Sequence, residues 1–211
     1  MVRNPGPQIS DEKRAHMLDA ALDVFVTNGY VGTSTDQLAA AAAVSKQTIY
    51  RAFGDKEGVF AALIRAECDR IHDPFGPLVE RMRDVETAEE AVRMLAELFA
   101  RSIMAPRVQR LRRLVIAEGT RFPELGRLYW ERGFVRMLNS VASCIAELDR
   151  RELLSVPAPD LAAQHLAGML LWIPSNRMMF TGAKRQPSTA ELTKVIDAGA
   201  TAFLRAYARA S

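Results

Sequence analysis

Cysteine, histidine and tryptophan are scarce in this chain, and long apolar runs are absent. Two cysteines, Cys68 and Cys144, stand far apart. They match no metal or redox spacing, and they exclude the disulfide framework of a small secreted domain. Two buried thiols in a reducing compartment are expected, with a thiol sensor as the alternative reading. The three histidines, His16, His72 and His165, are not spaced as metal ligands. Neither a metal nor any other cofactor is expected. The apolar run around 166–173 is far short of the ~20 residues that span a bilayer, and the opening stretch MVRNPGPQIS lacks the apolar core of a signal peptide. A cytoplasmic protein is the resulting expectation. No G-x-S-x-G occurs, and no glycine-rich loop follows a strand, because no sustained period-two alternation exists. The usual enzyme constellations are therefore missing.

What remains is a chain of 211 residues with 49% hydrophobic and 25% charged residues, enough to bury a core as one domain or two small ones. The net charge of +3 permits nucleic-acid binding without demanding it. Residues 1–66 carry seven Lys/Arg against seven Asp/Glu. Any electrostatic footprint there is local, from Lys46, Arg51 and Lys56. A non-specific DNA-packaging protein would be far more basic.

Apolar residues recur at helical spacing almost throughout, which predicts an all-α fold. The first helix is expected from Ser10 to Asn28. Ser10 is its cap, Asp11 and Glu12 favour its positive end, and Asn28-Gly29 ends it. Residues 1–9 read as a mobile tail, with Arg3 within reach of a DNA backbone. In TSTDQLAAAAAVSKQTIYRAFGDK, residues 33–56, Ser34 and Gln37 fit a capping box ahead of an alanine-rich support helix. Ser45 caps a second short helix bearing Lys46, Gln47, Thr48, Tyr50 and Arg51, with Ile49 and Phe53 as core anchors. A short hydrogen-bonding helix on a small-residue support is a helix-turn-helix suited to the major groove.

The run GYVGTSTDQLAAAAAVSKQTIYRAFGDKEGVFAALI resembles the DNA-binding domain of the TetR family of bacterial repressors. Gly29, Tyr30, Thr33, Ser34, Leu38, Ala39, Val44, Ser45, Thr48, Ile49, Tyr50, Phe53, Lys56 and Glu57 carry the likeness. Two departures stand out: Ala43 replaces a glycine expected in a left-handed turn, and Ala52 replaces a residue that is often polar. The resemblance implies that Thr33, Ser45, Tyr50 and Lys56 contact phosphates. Ser34, Lys46, Gln47, Thr48 and Arg51 complete the expected DNA-binding set, with Lys46 and Gln47 at the bases.

Beyond the head, Asp55 is expected to cap a helix to His72, and Asp73-Pro74 to divide a DNA-binding domain (10–73) from a body (74–211). Helices are expected at 78–84, from the Thr87 cap to Met104, from Pro106 to Gly119, from Pro123 to about Asp149, from an Asp160 cap through Pro174, and from Ser188 to about Ala208. Pro174 is expected to kink its helix. The last stripe, Leu192, Ile196, Gly199 and Phe203, reads as half of a four-helix dimer interface with 160–173. On this reading, charge at Ile196 and Phe203 yields monomers.

Residues 113–133, RLVIAEGTRFPELGRLYWERG, resemble the C-terminal region of the AefR-like subgroup of that family. The arginines around 101–113 read as a solvated face, or alternatively as one or two side chains reaching into a cavity to hold an acidic ligand. The expected cavity lining is Phe99, Trp130, Phe134, Met137, Met169 and Trp172, with His165 or Arg113 as polar contact. His165 also reads as a hydrogen-bonded core residue. Together the resemblances imply a homodimeric transcriptional regulator, a repressor released from operator DNA by a small, largely apolar effector. The alternative is an all-helical enzyme using the same chamber for a substrate.

Overall fold

The computed structural model describes residues 9–72, 75–182 and 186–209. The expected tail, Arg3 and the Asp73-Pro74 break lie outside them. Every element among the described residues is helical: α1 (Asp11–Gly32), α2 (Thr35–Ala41), α3 (Lys46–Phe53), α4 (Lys56–His72), α5 (Phe75–Arg81), α6 (Ala88–Met104), α7 (Pro106–Glu118), α8 (Pro123–Tyr129), a π-helical segment (Trp130–Val135), α9 (Arg136–Arg150), α10 (Pro159–Thr181) and α11 (Thr189–Tyr207). The all-α expectation holds. None of these helices is long and apolar enough to cross a membrane.

The sequence signals that start helices act as read. Ser10, Ser34, Ser45, Thr87 and Ser188 each accept a hydrogen bond from the third residue of the helix that follows. Ser34–Gln37 and Ser188–Glu191 form complete capping boxes. Gly29 interrupts α1 at φ 71°, ψ 169°, so the helix proper ends at Asn28. Two details differ, while Pro174 lies inside α10 as expected, the helix continuing to Thr181. Asp160 does not cap α10; Pro159 occupies its first turn instead, where a missing N–H costs nothing. The long helix expected from Pro123 to Asp149 contains a π turn at its centre.

The chain divides into two compact units, 1–66 with 114–128, and 67–113 with 129–211. The division falls inside α4 rather than at its end, and the end of α7 with α8 joins the head. In the first unit, Phe25, Tyr30 and Phe60 make a close ring cluster, and Phe122 meets Tyr30 edge-on at 4.5 Å. The Tyr30 N–H donates to Glu118 at 3.2 Å. Burial, reinforced by the charges of Glu57, Asp55, Glu124 and Glu118, pushes the Tyr30 phenol up to about 12. Arg14 donates to the Ala52 carbonyl at 2.6 Å and lies over the Phe53 ring, docking α1 against the end of α3.

Ala43 has φ 52°, the left-handed conformation anticipated for this turn. A β-carbon there costs about 1–2 kcal/mol. Ala43→Gly is therefore expected to stabilise the head by roughly 1 kcal/mol once the glycine's greater unfolded-state freedom is deducted. A thermal melt checks this, and an unchanged or lower midpoint would show that the turn is not strained.

In the second unit, α6 and α11 pack along their lengths, and α10 packs on both α9 and α11. Arg93–Asp197 at 3.3 Å and Arg101–Thr193 at 3.3 Å also join α6 to α11. The apolar stripe of α11 is spent inside this unit. Phe203 and Ile196 are buried, and a β-carbon on Gly199 would fall 2.7 Å from Leu170 Cδ2. This corrects the expectation that these residues face a second copy. Gly199 permits close approach to α10 of its own chain, and charge at Phe203 or Ile196 would damage the core first.

Candidate functional site

Two regions carry functional side chains. The first is built on α3. Its N-cap, Ser45, accepts from the Thr48 N–H at 3.1 Å and shares a hydrogen bond with the Thr48 hydroxyl at 2.8 Å. Ile49, buried, pins the helix from beneath. That leaves Lys46, Gln47, Tyr50 and Arg51 exposed together on the outer side, as expected of a recognition surface. Lys46 pairs with Asp36 of α2 at 3.0 Å, with both side chains well exposed. So exposed a pair contributes little to stability and is readily exchanged for a stronger anion. Ser34 is exposed, but its hydroxyl is occupied as the cap of α2.

Two of the expected phosphate contacts also have intramolecular roles. Thr33 is buried and donates its hydroxyl to the Gly29 carbonyl at 2.7 Å. The Lys56 ammonium donates to the carbonyls of Tyr30 and Thr33, each at 2.9 Å, and sits 4.5 Å from the Tyr30 ring centre. Both residues fasten the chain between α1 and α2. A lysine and a threonine beside a helix-turn-helix have the same sequence signature whether they grip phosphate or close a turn.

The second region is a cavity of about 570 Å3 in the second unit. That lies within the range of small-molecule sites. Its walls come from α4 (Ile71), α6 (Phe99, Ile103), the π segment, the start of α9 (Met137, Leu138) and one side of α10. The π turn brings Trp130, Gly133 and Phe134 to the cavity, and the Trp130 and Phe134 rings stack at 4.6 Å. π turns of this kind cluster at functional sites because they rotate the side chains that follow them. Gly133 is needed where it stands: a β-carbon would lie 3.0 Å from Cys68 Sγ.

Of the expected lining, Phe99, Trp130, Phe134, Met137 and Trp172 are present. Three residues are not. Met169 points outward and is 39% exposed. His165 is exposed, stacks on Tyr207 and shares a 2.6 Å hydrogen bond with its hydroxyl. It is hydrogen-bonded as its plainer reading held, but on the surface rather than in the core. Arg113 is exposed with its guanidinium beside Gly182. Its neighbour Arg112 lines the cavity instead, hydrogen-bonded to the Ser175 hydroxyl. Tyr129 also lines it, and burial holds its phenol well above the usual tyrosine range despite the opposing charge of Arg112.

Both cysteines are buried free thiols. Burial, with Asp69 and Glu67 adding, pushes the Cys68 thiol up to about 12, and burial does the same for Cys144. A protonated, buried thiol is a poor sensor. Among the described residues no group of His, Cys, Asp and Glu could hold a metal ion.

One side of α10 stays uncovered. Leu161, Trp172, Ile173 and Phe180 are 49%, 69%, 61% and 87% exposed, and Met169 joins them. A contiguous apolar face of this kind marks an interaction surface.

Comparison with known proteins fits this anatomy. Residues 17–63 match the model for bacterial regulatory proteins of the tetR family, and residues 86–209 match that for the C-terminal domain of AefR-like transcriptional repressors. A solved structure assigned as a TetR-family regulator, from Mesorhizobium loti MAFF303099, is 39% identical with a TM-score of 0.88. The match covers 96% of this chain and 100% of that one. The flavonoid-responsive regulator FrrA is 26% identical with a TM-score of 0.71, over 96% of this chain and 100% of its own. The transcriptional activator FasR of Mycolicibacterium smegmatis is 36% identical over 61 residues, 29% of this chain and 28% of FasR. The chain spans between 25% and 42% of the length of such curated relatives. With both halves matched by family models and a likeness running through 96% of its length, the chain belongs to the TetR family of bacterial regulatory proteins, with an AefR-like C-terminal domain.

Proposed function

We propose that this chain is a homodimeric transcriptional regulator, a repressor that leaves its operator when a small molecule fills the cavity of the second unit. The observation that carries the reading is α3. It is a capped helix, pinned by one buried isoleucine, that presents Lys46, Gln47, Tyr50 and Arg51 to solvent. Lysine suits guanine O6/N7, glutamine suits adenine N6/N7, and tyrosine and arginine suit the flanking phosphates. Lys56 and Thr33 support that helix indirectly by fixing the turn before α2.

The exposed apolar side of α10 is the dimer face on this reading. The effector reading rests on a largely apolar cavity of suitable size and on the likeness to FrrA, a flavonoid-responsive regulator. Both α4 and α7 have residues in each unit, so both are candidate transmitters. An effector that favours one conformation and DNA that favours another weaken each other through the shared equilibrium. Family membership, rather than the lack of a catalytic group, sets aside the enzyme alternative.

The test is selection of DNA from a random pool followed by Gln47→Ala. The wild type is expected to enrich a two-fold symmetric sequence. Gln47→Ala is expected to relax preference at particular base pairs, about 1–3 kcal/mol of discrimination at each. If that variant kept both the affinity and the preference of the wild type, α3 would not be the reading element.

A further inference from the structure

Arg112 is out of place in the cavity it lines. Elsewhere in the same unit arginines find carboxylates: Arg107 with Glu67, Arg136 with Asp69, Arg101 with Glu97, Arg93 with Asp197. Arg112 is only half-exposed, yet its polar partner is the neutral hydroxyl of Ser175. That bond uses one of the five N–H donors of a guanidinium. The other charged residue on the lining is Asp160. It stands fifteen residues before Ser175 on α10, about 22 Å along the helix axis, too far to neutralise Arg112. A half-buried cation without a counter-ion is unfavourable, and the fold has placed this one on a mostly apolar chamber.

We propose that the effector is an amphipathic organic anion: its acidic group pairs with Arg112, and its apolar body lies along Phe99, Ile103, Leu138 and the Trp130–Phe134 stack. The proposal rests on the effector reading of the cavity and narrows its chemistry. Ser175 steadies the guanidinium in the position that meets the anion. Tyr129 lines the same cavity. An organic cation could exploit the stacked rings, but it would meet the charge of Arg112. A neutral ligand would displace water and leave the guanidinium without a charged partner. The paired anion gains the stronger, charge-assisted bonds that a desolvated arginine offers. A carboxylate, sulfonate or phosphate satisfies this chemistry equally.

The test uses two probes that differ in a single group, 1-anilinonaphthalene-8-sulfonate and its neutral parent N-phenyl-1-naphthylamine. Both tryptophans of the chain, Trp130 and Trp172, line the cavity, so a probe there quenches their emission; Trp172 also belongs to the exposed side of α10, and the Arg112 variants tell a probe in the cavity from one on that face. The wild type is expected to bind the sulfonate at least about tenfold more tightly than the neutral parent, the scale of a hydrogen bond to a charged group. Arg112→Met is expected to abolish that preference and leave binding of the neutral probe unchanged; Arg112→Lys is expected to keep part of it. Equal affinity of the wild type for the two probes would overturn the proposal and leave the cavity standing as an effector site. So would an Arg112→Met variant that weakened both alike. If neither probe quenched the tryptophans, the effector reading itself would fall, and the anion with it. Should Arg112→Met not fold, the wild-type comparison and Arg112→Lys decide.

Discussion

Replacing Arg107 by leucine is expected to lower stability by about 3–5 kcal/mol, as expected when one partner of a buried ion pair is removed. Glu67 of α4 is 2% exposed, and its two carboxylate oxygens each accept from the Arg107 guanidinium of α7 at 2.7 Å. Arg70 approaches the same carboxylate only to 3.9 Å. Arg107 itself is 27% exposed. The two truncations therefore differ. Without Arg107, a carboxylate stays buried with a weak partner. Without Glu67, the arginine can turn towards water. Glu67→Leu is expected to cost clearly less, and the double variant Glu67→Leu/Arg107→Leu to recover most of the loss, because an apolar pair of similar volume removes the desolvation penalty altogether. Denaturant titrations of the four proteins in the cycle measure this. Equal losses for the two single variants would mean that the pair acts as a surface bridge. The pair joins α4 to α7, each of which has residues in both units.

Glutamates at Leu161 and Ile173 together are expected to give a monomer whose affinity for operator DNA falls by roughly 10²–10⁴-fold. That is the range lost when a second linked binding module no longer engages. The two side chains are already 49% and 61% exposed in the single chain, so its melting temperature should hardly move. Phe203→Glu is the opposite control: that ring is fully buried, and the charge should unfold the unit before it affects association. Sedimentation, thermal melting and operator titration on the same samples separate the outcomes. A proven monomer that bound the operator as tightly as the wild type would remove the dimer from the mechanism.

Much of this molecule is legible from its order of residues. Ser10, Ser34, Ser45, Thr87 and Ser188 announce their helices, because a cap is a contact between residues three positions apart and needs no tertiary partner. The strain at Ala43 is equally local. So is the content of α3, since the residues that remain exposed are those between its buried anchors.

What the sequence could not decide is what covers each stripe. The periodicity of α11 marked a buried face correctly. Whether its cover is α6 and α10 of the same chain or a second copy depends on packing between residues distant in sequence. The uncovered face turned out to belong to α10. Arg112 and Arg113 look interchangeable in the sequence, yet one step along a helix turns a side chain by about 100°, and that step separates the cavity from solvent. Lys56 and Thr33 are the same lesson at shorter range: their intramolecular partners are carbonyls where α1 ends, and only the folded turn brings those carbonyls within reach. Local chemistry fixes where helices begin and which side of each is apolar. Which surfaces meet, and so which charge faces a ligand, is fixed by three-dimensional packing alone.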